Sequence, residues 1–233
     1  LLILLITLKI KVKKGGNMNK QKGNQESLVF SYLELRKILG ILGTSLPFIL
    51  FLGGWIIFRT GLQRSISYYY HTDMGDVLVG MLFAMGFFLL SYKGYERKDD
   101  LAGDLGFVFA LGVALFPATI EGATGFPIIG YIHDAFTVLF FLTLVYFSYF
   151  LFTKTDPEKS PTKRKLQRNK VYRTCGIIMF VCILFIAVYV LFKNTLGEIF
   201  KPYKPIFWLE AIAILAFGVS WLIKGETLLK DKD

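Results

Sequence analysis

Six long apolar runs separated by polar connections dominate the chain, at about residues 37–58, 76–92, 101–118, 131–152, 174–192 and 205–223. Each approaches the ~20 residues a helix needs to cross a hydrocarbon layer about 30 Å thick. The pattern predicts an all-α polytopic membrane protein, with six transmembrane helices forming one bundle over residues 37–224. Pro47 falls inside the first run, where neighbouring helices can satisfy the carbonyl it frees. Pro205 opens the sixth, a position at which a helix needs no N–H. The third run carries Ala102, Gly106, Ala110, Ala114 and Ala118 at every fourth position. Such a stripe lets other helices approach closely and predicts that the third helix is central.

The polar connections set the orientation. Lys and Arg number eighteen in the segment 18–36 with Lys37, the second–third and fourth–fifth connections, and the C-terminal tail; the opposite side has five. Cytoplasmic loops collect these residues, so both termini are expected in the cytoplasm, with 18–36 and 225–233 as tails. The connection 154–173 is the most basic and is expected to lie along anionic headgroups of membrane lipids.

Composition agrees: 54% of the 233 residues are hydrophobic and 16% aromatic, and mean hydropathy is +0.53. The net charge of +10 comes from residues flanking apolar runs, not from a basic face interleaved with aromatics, so a nucleic-acid partner is not expected. Cys175 and Cys182, seven apart in one run, would sit roughly 10 Å apart on a helix, too far for a disulfide. Residues 1–17 break the pattern. LLILLITL is too short to span, and the basic residues follow it instead of preceding it as in a secretory signal. Lys-Lys-Gly-Gly-Asn before Met18 is what a translated purine-rich ribosome-binding site would give. Met18 is therefore the expected start, residues 1–17 a mistranslated leader, and the location a bacterial cytoplasmic (inner) membrane.

The densest polar stretch is SISYYYHTDMGD at 65–76, on the outer side by this topology. It supplies Ser65, Ser67, His71, Asp73 and Asp76. The first turn of the fourth run brings His133 and Asp134, and the short connection before it Glu121 and Thr124. Glu210 lies five residues into the sixth run, roughly 7–8 Å below its outer end. Ser65, Ser67, His71, Asp76, His133, Asp134 and Glu210 thus share one membrane depth, and they are the candidate ligand-binding set. His71, His133, Asp76 and Glu210 are also residue types that ligate a divalent metal, though neither H-E-x-x-H nor a third histidine is present. No serine stands in a G-x-S-x-G setting.

Each residue also has a simpler role. Tyr68, Tyr69 and Tyr70 suit an interfacial aromatic belt. Asp73 and Asp76 suit the N-terminus of the second helix, and Asp134 that of the fourth. Glu210, flanked by PIFWL and AIAILAF, needs a partner, for which Arg59, Arg64, His71 and His133 are the candidates. Asp104 is expected to pair with a basic residue of the second–third connection.

Three segments carry a resemblance. SIS at 65–67, IHDAFTVLFFLTLVYF at 132–147 and WLEAIAILAFGVSW at 208–221 resemble, in order, spacing and membrane side, the six-span superfamily of damage-regulated autophagy modulators, FGF-receptor-activating (FRAG) proteins and their yeast SFK relatives. The resemblance marks Ser65, Ser67, His133 and Glu210. It implies a membrane protein linked to lipid organisation or GPI-lipid remodelling, without a settled catalytic mechanism. The basic 154–173 segment and His71 depart from the family pattern.

The expected function is recognition or organisation of a lipid or polar headgroup in an outward-facing polar pocket, with no cofactor. The alternative is a metal-dependent lipid hydrolase or acyl-transfer enzyme using His71, His133 and the carboxylates. A proton- or cation-coupled transporter comes third, because no broken helix pair or inverted repeat is visible.

Overall fold

The computed structural model describes residues 18–94, 97–120, 127–155, 160–227 and 229, with side chains from Tyr32 onward except at 98, 127 and 198. The leader 1–17, Glu121 and Thr124 lie outside the described residues. The chain divides after Tyr32 into two units, the first holding the opening turns of α1. The second unit holds the helix bundle.

Every regular element among the described residues is helical. The helices are α1 (Met18–Ile56), α2 (Gly75–Leu90), α3 (Arg97–Leu115), α4 (Pro127–Tyr146), α5 (Lys163–Leu191), α6 (Lys193–Phe200) and α7 (Pro205–Lys224). A 3-10 turn, Ser67–His71, precedes α2, and a π-helical turn, Phe147–Leu151, continues α4. Four helical segments are long and apolar enough to cross a membrane: Tyr32–Ile56, Ile128–Leu151, Lys163–Leu191 and Lys201–Lys224. The second and third apolar runs form α2, which has only 16 residues, and α3, whose start carries Asp99, Asp100 and Asp104.

Boundaries shift for local reasons. The helix of the first run begins at Met18, so 18–36 is helical. α3 stops at Leu115 because Pro117 cannot continue it, which leaves Ala118 beyond its end. α5 begins eleven residues before the fifth run, where the Thr162 hydroxyl accepts from the Lys165 N–H at 3.0 Å. Half of the basic connection is therefore helix. Of the four long helices, α7 is the most enclosed, with 61% of its apolar window buried, against 22% for α5. The outward face of α5 presents Ile177, Phe180, Val181 and Leu184.

α2 packs on α3, α3 on α4 and α4 on α5, and α7 packs on both α5 and α1. The α1–α7 crossing is backbone against backbone. A Cβ at Gly218 would lie 2.5 Å from the Thr44 nitrogen, and one at Gly40 would lie 2.7 Å from the Leu222 nitrogen. Pro47 sits inside α1 and is buried. On α3, Ala102, Gly106, Ala110 and Ala114 are buried and Ala118 is half-buried; a Cβ on Gly106 would press on Leu89 of α2. Cys175 and Cys182 are buried free thiols on α5.

The acids of α3 pair differently from the expectation. Asp104 is exposed, whereas Asp99, 1% exposed, accepts from Lys154 Nζ at 2.6 Å. Asp100 lies 3.5 Å from Lys93 and accepts from the Gly94 N–H at 3.0 Å. The acids nearest the helix start are within reach of the basic connections, and Asp104 is a further turn along.

Candidate functional site: a chamber under the stitched loop

The segment between α1 and α2 is fastened to the ends of two other helices, α7 and α3. Arg59 takes a left-handed conformation (φ 53°) just after α1, and the Thr60 N–H closes back on the Gly54 carbonyl at 2.8 Å. From there the loop runs along the start of α7. Lys204 Nζ donates to the Leu62 carbonyl, and the Phe207 N–H donates to the Arg64 carbonyl at 3.1 Å. Glu210 accepts from the Ile66 N–H at 2.5 Å. Glu210 therefore holds a backbone donor of the loop, and none of the four side chains expected as its partner.

The same loop is tied to the end of α3. Pro117 leaves the carbonyls there without helical donors. Arg64 donates to the Thr119 carbonyl at 2.9 Å, His71 Nε2 meets the Ala118 carbonyl at 2.7 Å, and His133 Nδ1 meets the Phe116 carbonyl at 2.6 Å. Both histidines thus serve as caps for α3, with the ring proton on the nitrogen that faces the carbonyl. The Arg64 guanidinium stacks 4.3 Å over the Tyr68 ring. Ser65 is buried, and its hydroxyl accepts from the Tyr68 N–H at 3.0 Å, opening the 3-10 turn. Tyr69 is not interfacial: it is fully buried against Phe207. Burial pushes its phenol pKa up.

Beneath this loop lies a chamber enclosed by α1, the 3-10 turn, α2, α3, α4 and α7. It is narrow, with a cavity volume of about 30 Å³. Leu46, Leu78, Met85, Phe141, Ile214 and Phe217 contribute to a mostly apolar wall. The polar lining is Ser67, Tyr70, His133, Thr137 and Glu210. Three of the seven sequence-predicted residues, Ser67, His133 and Glu210, therefore share one cavity.

The other four do not line it. Ser65 and His71 are committed to the hydrogen bonds of the loop. Asp76 is exposed in the first turn of α2, where it suits the helix dipole, and Asp73 is exposed before it. Asp134 is also exposed; because α4 begins at Pro127, it sits about two turns in and does not cap that helix. Among the described residues no three His, Cys, Asp or Glu side chains converge as a metal ion requires. His71, His133, Asp76 and Glu210 accordingly do not form one ligand sphere.

Two atoms on the chamber wall lack partners. His133 is 3% exposed, and its Nε2 has no hydrogen-bond partner among the described residues; the same holds for the buried Thr137 hydroxyl. They stand four residues apart on α4, one turn along the same face. In a neutral ring with its proton on Nδ1, Nε2 offers a lone pair. The wall thus presents an acceptor beside a hydroxyl that can donate or accept. Reasoning from sequence missed Thr137 and Tyr70. The i, i+4 spacing from His133 was a signal for Thr137, whereas nothing local separated Tyr70 from the neighbouring tyrosines.

Comparison with protein-family models, curated proteins and solved structures finds no match. The fold and site define an all-helical chain with four helices long and apolar enough to cross a membrane and an internal chamber at one end.

Proposed function

We propose that the chain is a six-span integral protein of a bacterial inner membrane, with both termini cytoplasmic. Its outward-end chamber takes up a lipid or the hydroxyl-bearing head of an amphiphile, without requiring catalysis. The observation that carries this reading is the pair of unpartnered buried atoms, His133 Nε2 and Thr137 Oγ1, on an otherwise apolar wall. A buried polar atom without a partner costs about 1–3 kcal/mol, which a bound hydroxyl group would remove. Apolar side chains beyond them suit the first part of a hydrocarbon chain. The chamber is narrow, so chain entry would require Met85 and Phe141 to change rotamer. The six-span reading is supported by α2, which is apolar after Asp76, and by the pairing of Asp99 with Lys154 at the start of α3.

The test is thermal unfolding of purified protein in detergent, with and without added monoacylglycerol. A ligand at 100 times its dissociation constant stabilises by about 2.7 kcal/mol, a rise of roughly 5–10 °C for a chain of this size. His133→Ala and Thr137→Val should insert normally and lose that rise. If both keep the full rise, the chamber is not where the lipid binds; if the wild type has none with any monoacylglycerol chain length, the hydroxyl-head reading fails.

A further inference from the structure

The opposite end of the bundle holds a second constellation. Lys224 ends α7, roughly 21 Å along the axis from Glu210 at helical rise. Its Nζ sits 5.2 Å from the centroid of the Phe152 ring, while the Arg36 guanidinium lies 5.9 Å from the centroid of Tyr92. Those two rings are themselves 6.4 Å apart. Lys165 Nζ donates to the Phe152 carbonyl at 2.8 Å, and Arg168 follows one turn later on α5. A close approach fixes the arrangement: a Cβ on Gly225 would meet the Lys37 nitrogen at 2.9 Å, so the end of α7 rests on the backbone beside Arg36.

Three cations from α1, α5 and α7, Arg36, Lys165 and Lys224, thus face the rings of Tyr92, Tyr172 and Phe152, with Arg168 alongside on α5. Lys224 feels the charges of Arg36, Lys165 and Arg168, with Glu226 the opposing acid among the described residues. Arg36 Nε is buried and has no hydrogen-bond partner there. Ring faces and the last carbonyls of α7 offset part of the repulsion. The rings give a guanidinium no oxygen to grip, and the carbonyls bring no net negative charge. A phosphate supplies both: it brings negative charge and several acceptor oxygens, and it matches an Arg fork beside lysine point charges.

We propose that Arg36 and Lys224, with Lys165 and Arg168 at the rim, form a binding site for the phosphate of an anionic phospholipid. The phospholipid is preferred over a soluble phosphate because the site lies at the ends of α5 and α7, two of the helices able to cross a membrane, where headgroups gather. The exposed apolar face of α5 runs on from it toward the acyl layer. This differs from diffuse attraction to the basic 154–173 segment. Such attraction is set by the number of charges near the surface and is screened within a Debye length. A built site depends on which charges are removed.

Native mass spectrometry and thermal unfolding of the full chain, with phosphatidylglycerol in a phosphatidylcholine background, separate these cases. Wild type should retain phosphatidylglycerol and unfold several degrees higher than in phosphatidylcholine alone. Arg36→Gln with Lys224→Gln should weaken retention at least tenfold. Lys163→Gln with Arg164→Gln, which removes two charges from the start of α5, should change it less than twofold. Equal losses in the two double variants would overturn the site in favour of diffuse attraction, and so would unaltered retention in the first. If that variant does not fold, Arg36→Gln alone is measured, with Arg36→Lys as the charge-preserving control; equal retention by Arg36→Gln and wild type overturns the proposal. Inorganic phosphate and glycerol 3-phosphate are the free-ligand arms. If either matches the stabilisation by phosphatidylglycerol, the lipid assignment is overturned.

Discussion

At the scale of single residues, Glu210 carries the most consequence. A short carboxylate in the second turn of an apolar helix has to be satisfied by something, and the Ile66 N–H does so. Its role resembles that of a capping residue supplied from a distant helix. Glu210→Ala should leave the buried Ile66 N–H unpaired, a loss of about 1–3 kcal/mol. Glu210→Gln keeps one acceptor oxygen and should lose about half as much. Hydrogen exchange at the amide of Ile66 checks this: it should accelerate in both variants, most in Glu210→Ala, before the rest of the bundle opens. Unchanged exchange at that amide would remove the clamp. The histidines obey the same logic, each meeting a carbonyl that Pro117 leaves without a helical donor. That relation was not legible in the sequence, because Phe116 and Ala118 look apolar and contribute only their backbones.

At the scale of elements, the apolar runs locate the helices well and their ends poorly. A hydrophobic run reports what a helix buries in lipid or core. It does not report how far hydrogen bonding continues into polar flanks, as α5 does from Lys163 and α1 from Met18. The stripe on α3 does pack closely, and α1 on α7 is a second close crossing, made backbone to backbone at Gly40 and Gly218. Gly218→Ala would drive a methyl group into the backbone of Thr44, with its nitrogen 2.5 Å away and the Gly40 carbonyl at 2.9 Å. Overpacking of this kind costs about 1–3 kcal/mol, and at a backbone contact the upper end applies. Gly80→Ala, where nothing lies within 4 Å of the added atom, is the matched control and should be neutral or slightly stabilising, since it exchanges a helical Gly for Ala. Thermal midpoints in one detergent compare the pair, and equal midpoints would mean that the α1–α7 crossing has room to spare.

For the whole molecule, the decisive quantity is how many times the chain crosses the bilayer. Six crossings place 154–173 and both tails on the cytoplasmic side and the 59–74 loop outside; four place some of them elsewhere. Single cysteines introduced at Gln63, Ser160 and Thr227 in a Cys175→Ala, Cys182→Ala background distinguish the cases. Membrane-impermeant maleimide applied to intact cells should label only the Gln63→Cys protein, and the other two only after lysis. Labelling of the Ser160→Cys protein in intact cells would reverse the orientation and put the cation cluster on the outer face.

The sequence by itself determined that this is a helical chain with runs apolar enough to cross a membrane, because the free energy of moving apolar side chains out of water is summed locally along each run. It also pointed to the end of the bundle where Ser67, His133 and Glu210 would lie, since depth follows from position along a helix. Only the tertiary structure decided that these three share a chamber while Asp76 and Asp134 face outward, that Thr137 joins them, and that Arg36 meets Lys224. Which helix lies beside which, and which way each face turns, depends on close contacts between residues far apart in the chain. Gly40 against Leu222 and Ile66 against Glu210 are such contacts, and no run of neighbouring residues encodes them.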